Sequence, residues 1–168
     1  MATVIRNTDP VLATVRDAIN ALKTQIGAGA TFHLDAAETV VSAANASDLA
    51  TSLTLANAIK RVYELHLESA SGLEGGVLAH KEADAAPALT TATDLATAIT
   101  LANAIKADYN THRASTTYHY NADATNVVTS ADATDQTSLN TLLNEIKTDL
   151  NAHMASAPSA PSLRLVGA

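Results

Sequence analysis

The chain contains no cysteine and no tryptophan, and its 168 residues include one phenylalanine and four tyrosines. The absence of cysteine excludes disulfides, thiolate nucleophiles and cysteine-based zinc sites, so that histidine and carboxylate would have to bind any metal. Because aromatic side chains are scarce, the core is predicted to consist of Ala, Val, Leu and Ile and to be thin. A thin core favours assembly with partners.

Basic residues are also scarce, since 10 Lys and Arg stand against 17 Asp and Glu, for a formal net charge of -7. No basic run is present that would follow a phosphate backbone, so nucleic acid is not an expected partner. No run of about 18 apolar residues is present, and the N-terminus lacks the pattern of a signal peptide. The sequence therefore predicts a soluble protein without a membrane partner.

What the sequence does contain is a repeat. Three segments share one spacing: "DLATSLTLANAIKRVYELH" from Asp48, "DLATAITLANAIKADYNTH" from Asp94 and "DQTSLNTLLNEIKTDLNAH" from Asp135. Each carries Asn nine, Lys twelve and His eighteen residues after its Asp. A degenerate unit, "TDPVLATVRDAINALKTQI", precedes them without a terminal His. The chain is predicted to hold three full repeats and one truncated N-terminal repeat.

Within each unit, small and apolar residues recur four, seven, eight, eleven and fifteen residues after the Asp, and the His follows at eighteen. At about 100° per residue these positions fall on one helical face. The sequence therefore predicts a mainly α protein, a repeat-built helical bundle, as a single domain over residues 1–156. The predicted helices span residues of about 9–26, 48–68, 94–113 and 135–155.

The connectors between the helices are long, Thr-rich and predicted to be partly extended, with short strand pieces at Val40-Val41 and Val127-Val128. About 10 extended residues already cover the length of a 20-residue helix. Each connector can therefore return along the bundle and begin the next helix in the same direction. A connector that contained its own short helix would instead give antiparallel pairs.

The six histidines belong to the repeat pattern, and two interpretations of them remain open. A His in the last turn of a helix interacts favourably with the helix dipole and can hydrogen-bond a connector carbonyl, so the preferred interpretation is structural, with no metal and no cofactor. The alternative is a His-based metal-binding bundle. Its candidate ligands are His112, His119, His66 and His80. "EADAAP" and "NADATN" resemble calcium loops only weakly, because the spacing of such loops is missing.

The repeated asparagines lie away from the predicted buried face, which is where a returning connector or another subunit would pack. We assign Asn57, Asn103 and Asn144 to assembly. The Pro- and Ser-rich arm over residues 157–168 ends in an apolar segment that could lie on a neighbour, and it adds Leu163, Leu165 and Val166 to the assembly residues. A homo-oligomer is expected.

No nucleophile elbow, phosphate loop or dinucleotide-binding stretch is present, so the chain is not expected to be an enzyme.

"HRASTTYHYNADATNVVTSADATD" and "DLATAITLANAIKADYNTH" resemble repeat units of structural virion proteins of tailed bacteriophages, over roughly residues 33–156. The resemblance implies a structural or decoration subunit of a phage particle. Such a subunit is made in the host cytoplasm, and its partners are further copies of itself and other virion proteins. One further alternative is an adhesive module that binds a host-surface glycan.

Overall fold

The computed structural model describes residues 40–68, 80, 84–119 and 121–155. Three helices of 20 residues occupy most of this part of the chain: α1 (Leu49–Glu68), α2 (Leu95–Ala114) and α3 (Gln136–Ala155). The described protein is mainly α, which confirms the predicted fold class. Several predicted features lie outside the described residues, namely the helix at 9–26, His33, and the arm at 157–168 with Leu163, Leu165 and Val166.

Each helix begins directly after the aspartate of its repeat, because that aspartate caps it. Asp94 Oδ1 accepts a hydrogen bond from the backbone N–H of Thr97 at 2.8 Å, and the Thr97 hydroxyl accepts one from the backbone N–H of Asp94 at 3.0 Å. Asp48 with Thr51 and Asp135 with Ser138 form the same pair. This reciprocal capping satisfies backbone donors that the first helical turn would otherwise leave open.

The core lies between the three helices and is built from the predicted face of each. Every position that the periodicity assigned to that face is buried. These positions are Ser52, Leu55, Ala56, Ile59, Tyr63 and His66 in α1, Ala98, Leu101, Ala102, Ile105, Tyr109 and His112 in α2, and Leu139, Leu142, Leu143, Ile146, Leu150 and His153 in α3. Leu67 and Met154 extend the core at the C-terminal ends.

The helices run parallel, because residues at the same height in different helices touch. Near the N-terminal ends, the Ser52 hydroxyl donates to Asn140 Oδ1 at 2.7 Å. Further along, the Tyr63 hydroxyl donates to Asp108 Oδ2 at 2.5 Å and the Tyr109 hydroxyl to the backbone O of Asp149 at 3.0 Å. Since every pair of helices packs together, the three repeats surround one axis.

The connectors return along the bundle, and the repeated asparagines hold them there. Asn103 Nδ2 donates to the backbone O of Ala133 at 3.1 Å, and the Ala133 N–H donates to Asn103 Oδ1 at 2.8 Å. Asn57 clamps Ala92, and Asn144 clamps Ala46, with the same pair of bonds. We call each such pair an amide clamp.

The amide clamps agree with a returning connector, one of the two partners expected for Asn57, Asn103 and Asn144. Their carboxamides are hydrogen-bonded to the chain's own connectors, so the asparagines fix the position of the next helix. The physical reason is that a connector passes over the flank of each helix and carries backbone groups that need partners once they are half-buried.

A second tier of amide clamps repeats this arrangement seven residues, or about two turns, further from the helix starts. Asn110 clamps Val128 and Asn151 clamps Val41, with distances from 2.8 to 3.2 Å. The corresponding positions of α1 and its following connector hold Glu64 and Pro87. Proline has no backbone N–H to donate, and Glu64 pairs with Lys60 at 2.7 Å instead.

The predicted strand pieces are not strands. No described residue belongs to a β-strand, and Val41 and Val128 pair with asparagine side chains rather than with another backbone segment. None of the helices in the described part of the chain is long and apolar enough to cross a membrane.

Candidate metal centre

Five buried histidines converge at the C-terminal end of the bundle. Because the helices are parallel and each repeat places His eighteen residues after its Asp, His66, His112 and His153 reach the same height. The connectors add His80 and His119. One ring nitrogen from each of the five lies within 4.8 Å of the other four, and each side chain is at most 1% exposed. We call these five residues the histidine cluster.

The cluster joins residues that are far apart in the sequence. His66 Nε2 and His112 Nε2 are 3.2 Å apart, although the two residues are separated by 46 positions. The ring centroids of His80 and His119 are 4.8 Å apart, and those of His119 and His153 are 4.9 Å apart. Thus all three helices and two connectors contribute to one site.

Two aspartates and one carbonyl fix which ring nitrogen of three histidines carries the proton. His112 Nδ1 lies 3.0 Å from Asp84 Oδ2, and His153 Nδ1 lies 2.9 Å from Asp123 Oδ2. His119 Nδ1 lies 3.0 Å from the backbone O of Ser115. Since a carboxylate or a carbonyl can only accept, Nδ1 is the donor in each pair. A neutral ring then keeps a lone pair at Nε2, as a metal ligand requires.

Asp123 is itself held rigidly in place. Its side chain is fully buried, and it accepts hydrogen bonds from the backbone N–H groups of Thr125 and Asn126 and from the Asn126 carboxamide at 2.7 to 3.0 Å. Burial alone would raise the pKa of Asp123, but the hydrogen bonds from His153, Asn126 and Thr125 outweigh burial and hold the pKa far below its usual value. The aspartate is therefore a fixed negative charge beside His153.

Burial keeps two imidazoles of the cluster, those of His119 and His153, in the neutral form. Burial lowers the pKa of His119 to about 3, with a further contribution from the neighbouring His153 and His80. Burial also lowers the pKa of His153, although Asp123 acts in the opposite direction. The pKa of Asp84 is raised, chiefly by burial, while its hydrogen bond with Tyr118 opposes this. Neutral imidazole is the form that binds a metal ion.

The structure brings together all four histidines named as candidate ligands, His66, His80, His112 and His119, and adds His153. The hydrogen bonds of His112 and His153 run to the side chains of Asp84 and Asp123, where a connector carbonyl had been expected. Sequence reasoning missed both aspartates. The signal that could have identified them is the Ala-Asp-Ala shared by "EADAAP" and "NADATN", two segments that resemble calcium loops only weakly.

Comparison with known proteins finds no relative. No family model matches the chain, and neither a curated protein nor a solved structure is significantly similar to it.

Proposed function

We propose that this chain is a structural metal-binding module, in which one divalent first-row transition-metal ion ties the C-terminal ends of three parallel helices to their connectors. The observation that carries the proposal is the convergence of five buried imidazoles, each with a ring nitrogen within 4.8 Å of the others. Imidazole is a common ligand for zinc, copper, nickel and iron.

Physical chemistry supports a bound ion in such a place. Burying polar groups is costly unless they are compensated, and a cluster of five rings concentrates that cost at one end of a thin aliphatic core. A metal ion that binds the folded state alone stabilises that state, since the unfolded chain cannot gather the ligands. The ion would add to the stability that the hydrophobic core of the described bundle provides.

The number of ligands supports a structural role rather than a catalytic one. Catalytic zinc sites are typically held by three protein ligands and keep a position open for water or substrate, whereas structural sites are closed by protein ligands. Five histidines leave at most one position open on a six-coordinate ion, and the cluster is buried. These features support the prediction that the protein is not an enzyme.

The test is the metal content of the untagged, full-length protein, because a polyhistidine tag would itself bind metal. We expect about one ion per chain by elemental mass spectrometry, and a melting temperature that falls when a chelator removes the ion and recovers when metal is restored. The matched control is Thr111→Ala, an exposed neighbour of His112, which should behave as the parent chain does. Protein that purifies metal-free, binds none of these ions and melts unchanged with chelator would overturn the proposal.

We also propose that the module serves as a structural or decoration subunit of a phage particle, as a homo-oligomer or bound to other virion proteins. This second proposal is supported by the resemblance over residues 33–156, not by the metal centre. Mass spectrometry of purified virions of a phage that encodes the chain should find it in stoichiometric amounts. If the chain is missing from the particles and binds glycans instead, the adhesive alternative replaces this proposal.

A further inference from the structure

We propose that the metal centre binds its ion through all five imidazoles, at a coordination number above four. Such a site takes ions that accept five or six ligands, of the class of nickel(II), cobalt(II) and iron(II), in place of the four-coordinate arrangement usual for structural zinc. This inference rests on the proposed function and specifies the ion class of the same site.

The spread of the ring nitrogens is the first argument. With metal–nitrogen distances of about 2.1 Å, tetrahedral ligands lie about 3.4 Å apart, while opposite ligands of a six-coordinate ion lie about 4.2 Å apart and adjacent ones about 3.0 Å. The five nitrogens lie within 4.8 Å of one another, and His66 Nε2 lies 3.2 Å from His112 Nε2. The limit of 4.8 Å exceeds the spacing of opposite ligands by about 0.6 Å and that of tetrahedral ligands by about 1.4 Å, so a six-coordinate set needs the smaller adjustment around an ion.

The origin of the ligands is the second argument. His66, His112 and His153 approach from three helix ends around the bundle axis, while His80 and His119 approach from connectors. His80 has ring contacts with His66 and His112, and His119 has ring contacts with His112 and His153. Each connector histidine therefore touches two of the helix-end histidines, and none of the five stands apart as a spare ligand.

Charge is the third argument, and it selects a divalent ion. Five neutral imidazoles leave the full charge of the ion uncompensated within the cluster. Two negative charges lie next to the ligands, because Asp84 is hydrogen-bonded to His112 and Asp123 is hydrogen-bonded to His153. These two carboxylates offset the charge of a divalent ion, which lowers the cost of burying the ion.

The experiment titrates cobalt(II) into metal-free, untagged, full-length protein and records the visible absorption spectrum. Tetrahedral cobalt(II) absorbs intensely in the visible range, whereas five- and six-coordinate cobalt(II) absorbs weakly. We expect saturation at about one cobalt per chain with weak bands only. This spectrum requires no variant, so it tests the proposal even where a histidine substitution impairs folding.

The ligand count is then checked by substituting each histidine singly with alanine, at His66, His80, His112, His119 and His153. Loss of a neighbour that only orients a ligand already costs roughly 10- to 100-fold in metal affinity, so each ligand substitution should weaken cobalt binding at least 10-fold. Thr111→Ala is again the matched control. Circular dichroism of each metal-free variant separates lost ligands from lost helix.

The outcomes distinguish the two proposals. Intense tetrahedral bands, together with a histidine variant that binds cobalt like the parent, would overturn the five-ligand inference and leave the structural metal module intact. Absence of binding by cobalt, nickel and zinc would overturn both. Weak bands with all five variants impaired would support both.

Discussion

Asn144 in α3 clamps Ala46, which lies 98 positions earlier and three residues before the start of α1. Asn144 Nδ2 donates to the backbone O of Ala46 at 3.1 Å, and the Ala46 N–H donates to Asn144 Oδ1 at 2.8 Å. The clamps of Asn57 and Asn103 link consecutive repeats, whereas this one joins the last described helix to the connector before the first. The contact closes the three repeats into a ring, so no repeat of the described bundle lies at an open end.

The closing clamp predicts a large effect for a small substitution. Asn144→Ala removes both hydrogen bonds and leaves the backbone groups of a buried residue, Ala46, without these partners, so the free energy of unfolding should fall by about 2 kcal/mol. Chemical denaturation measures the change. Thr141→Ala, on the exposed face of the same helix, is the control and should alter stability by no more than about 0.5 kcal/mol. Equal stability of the two variants would show that the clamp contributes nothing.

The core makes a second prediction. Ile105→Asp places a carboxylate among fully buried side chains and should lower the free energy of unfolding by about 3 to 5 kcal/mol. Thr100→Asp introduces the same charge at an exposed position of α2 and serves as the control. Thermal melting followed by circular dichroism compares the two. An unchanged midpoint for Ile105→Asp would contradict the assigned buried face.

The aspartate beside His153 makes a third prediction. Asp123→Asn preserves the size of the side chain but removes the negative charge that orients the ring, so metal affinity should fall roughly 10- to 100-fold while the fold is retained. Asp132→Asn removes a carboxylate that is largely exposed and paired with Lys106, and should leave affinity unchanged. Competition titration against a chelator gives both values. Equal affinities for the two variants would count against a positioning role for Asp123.

The layer beneath the histidine cluster makes a fourth prediction. Tyr63→Phe keeps the ring, which packs edge-to-face against His112 at a centroid distance of 6.1 Å, but removes the hydroxyl bonded to Asp108. A hydrogen bond to a charged group contributes roughly 1.5 to 3 kcal/mol, so the free energy of unfolding should fall by about that amount. Metal stoichiometry should stay at one ion per chain, as elemental analysis would show.

The sequence predicted the helices well because each carries its own start signal and its own apolar period. Asp94 with Thr97 defines the beginning of α2 locally, and the face that holds Ile105 follows from helical geometry alone. The same local information placed His112 on the buried face. Local information of this kind does not extend beyond one repeat, so it does not show how the repeats pack against one another.

The histidine cluster could not be predicted from this local information, because it depends on how the repeats pack. Nearness in sequence favours His112 and His119 as ligands and does not point to His153, because the cluster arises from parallel helices of equal length. The sequence allows both helix directions, and only the parallel arrangement brings the three helix ends together. Likewise, the periodicity located Asn103 on the flank of its helix but could not show which backbone passes over it.

Where the other two helices and their connectors have an asparagine and the residue that it clamps, α1 and its following connector have Glu64 and Pro87. This difference has a kinetic consequence. In the described part of the chain, the connector that carries His80 is tied to α1 by one amide clamp, at Asn57 and Ala92, whereas its two counterparts are tied by two each. An ion can reach a fully buried cluster only when part of the shell opens, and we expect the described connector with the fewest amide clamps to open most often. Opening of this connector should therefore limit the rates of ion uptake and release. The amide proton of Ala92 should exchange with solvent faster than those of Ala46 and Ala133, and its exchange should slow most once the ion is bound.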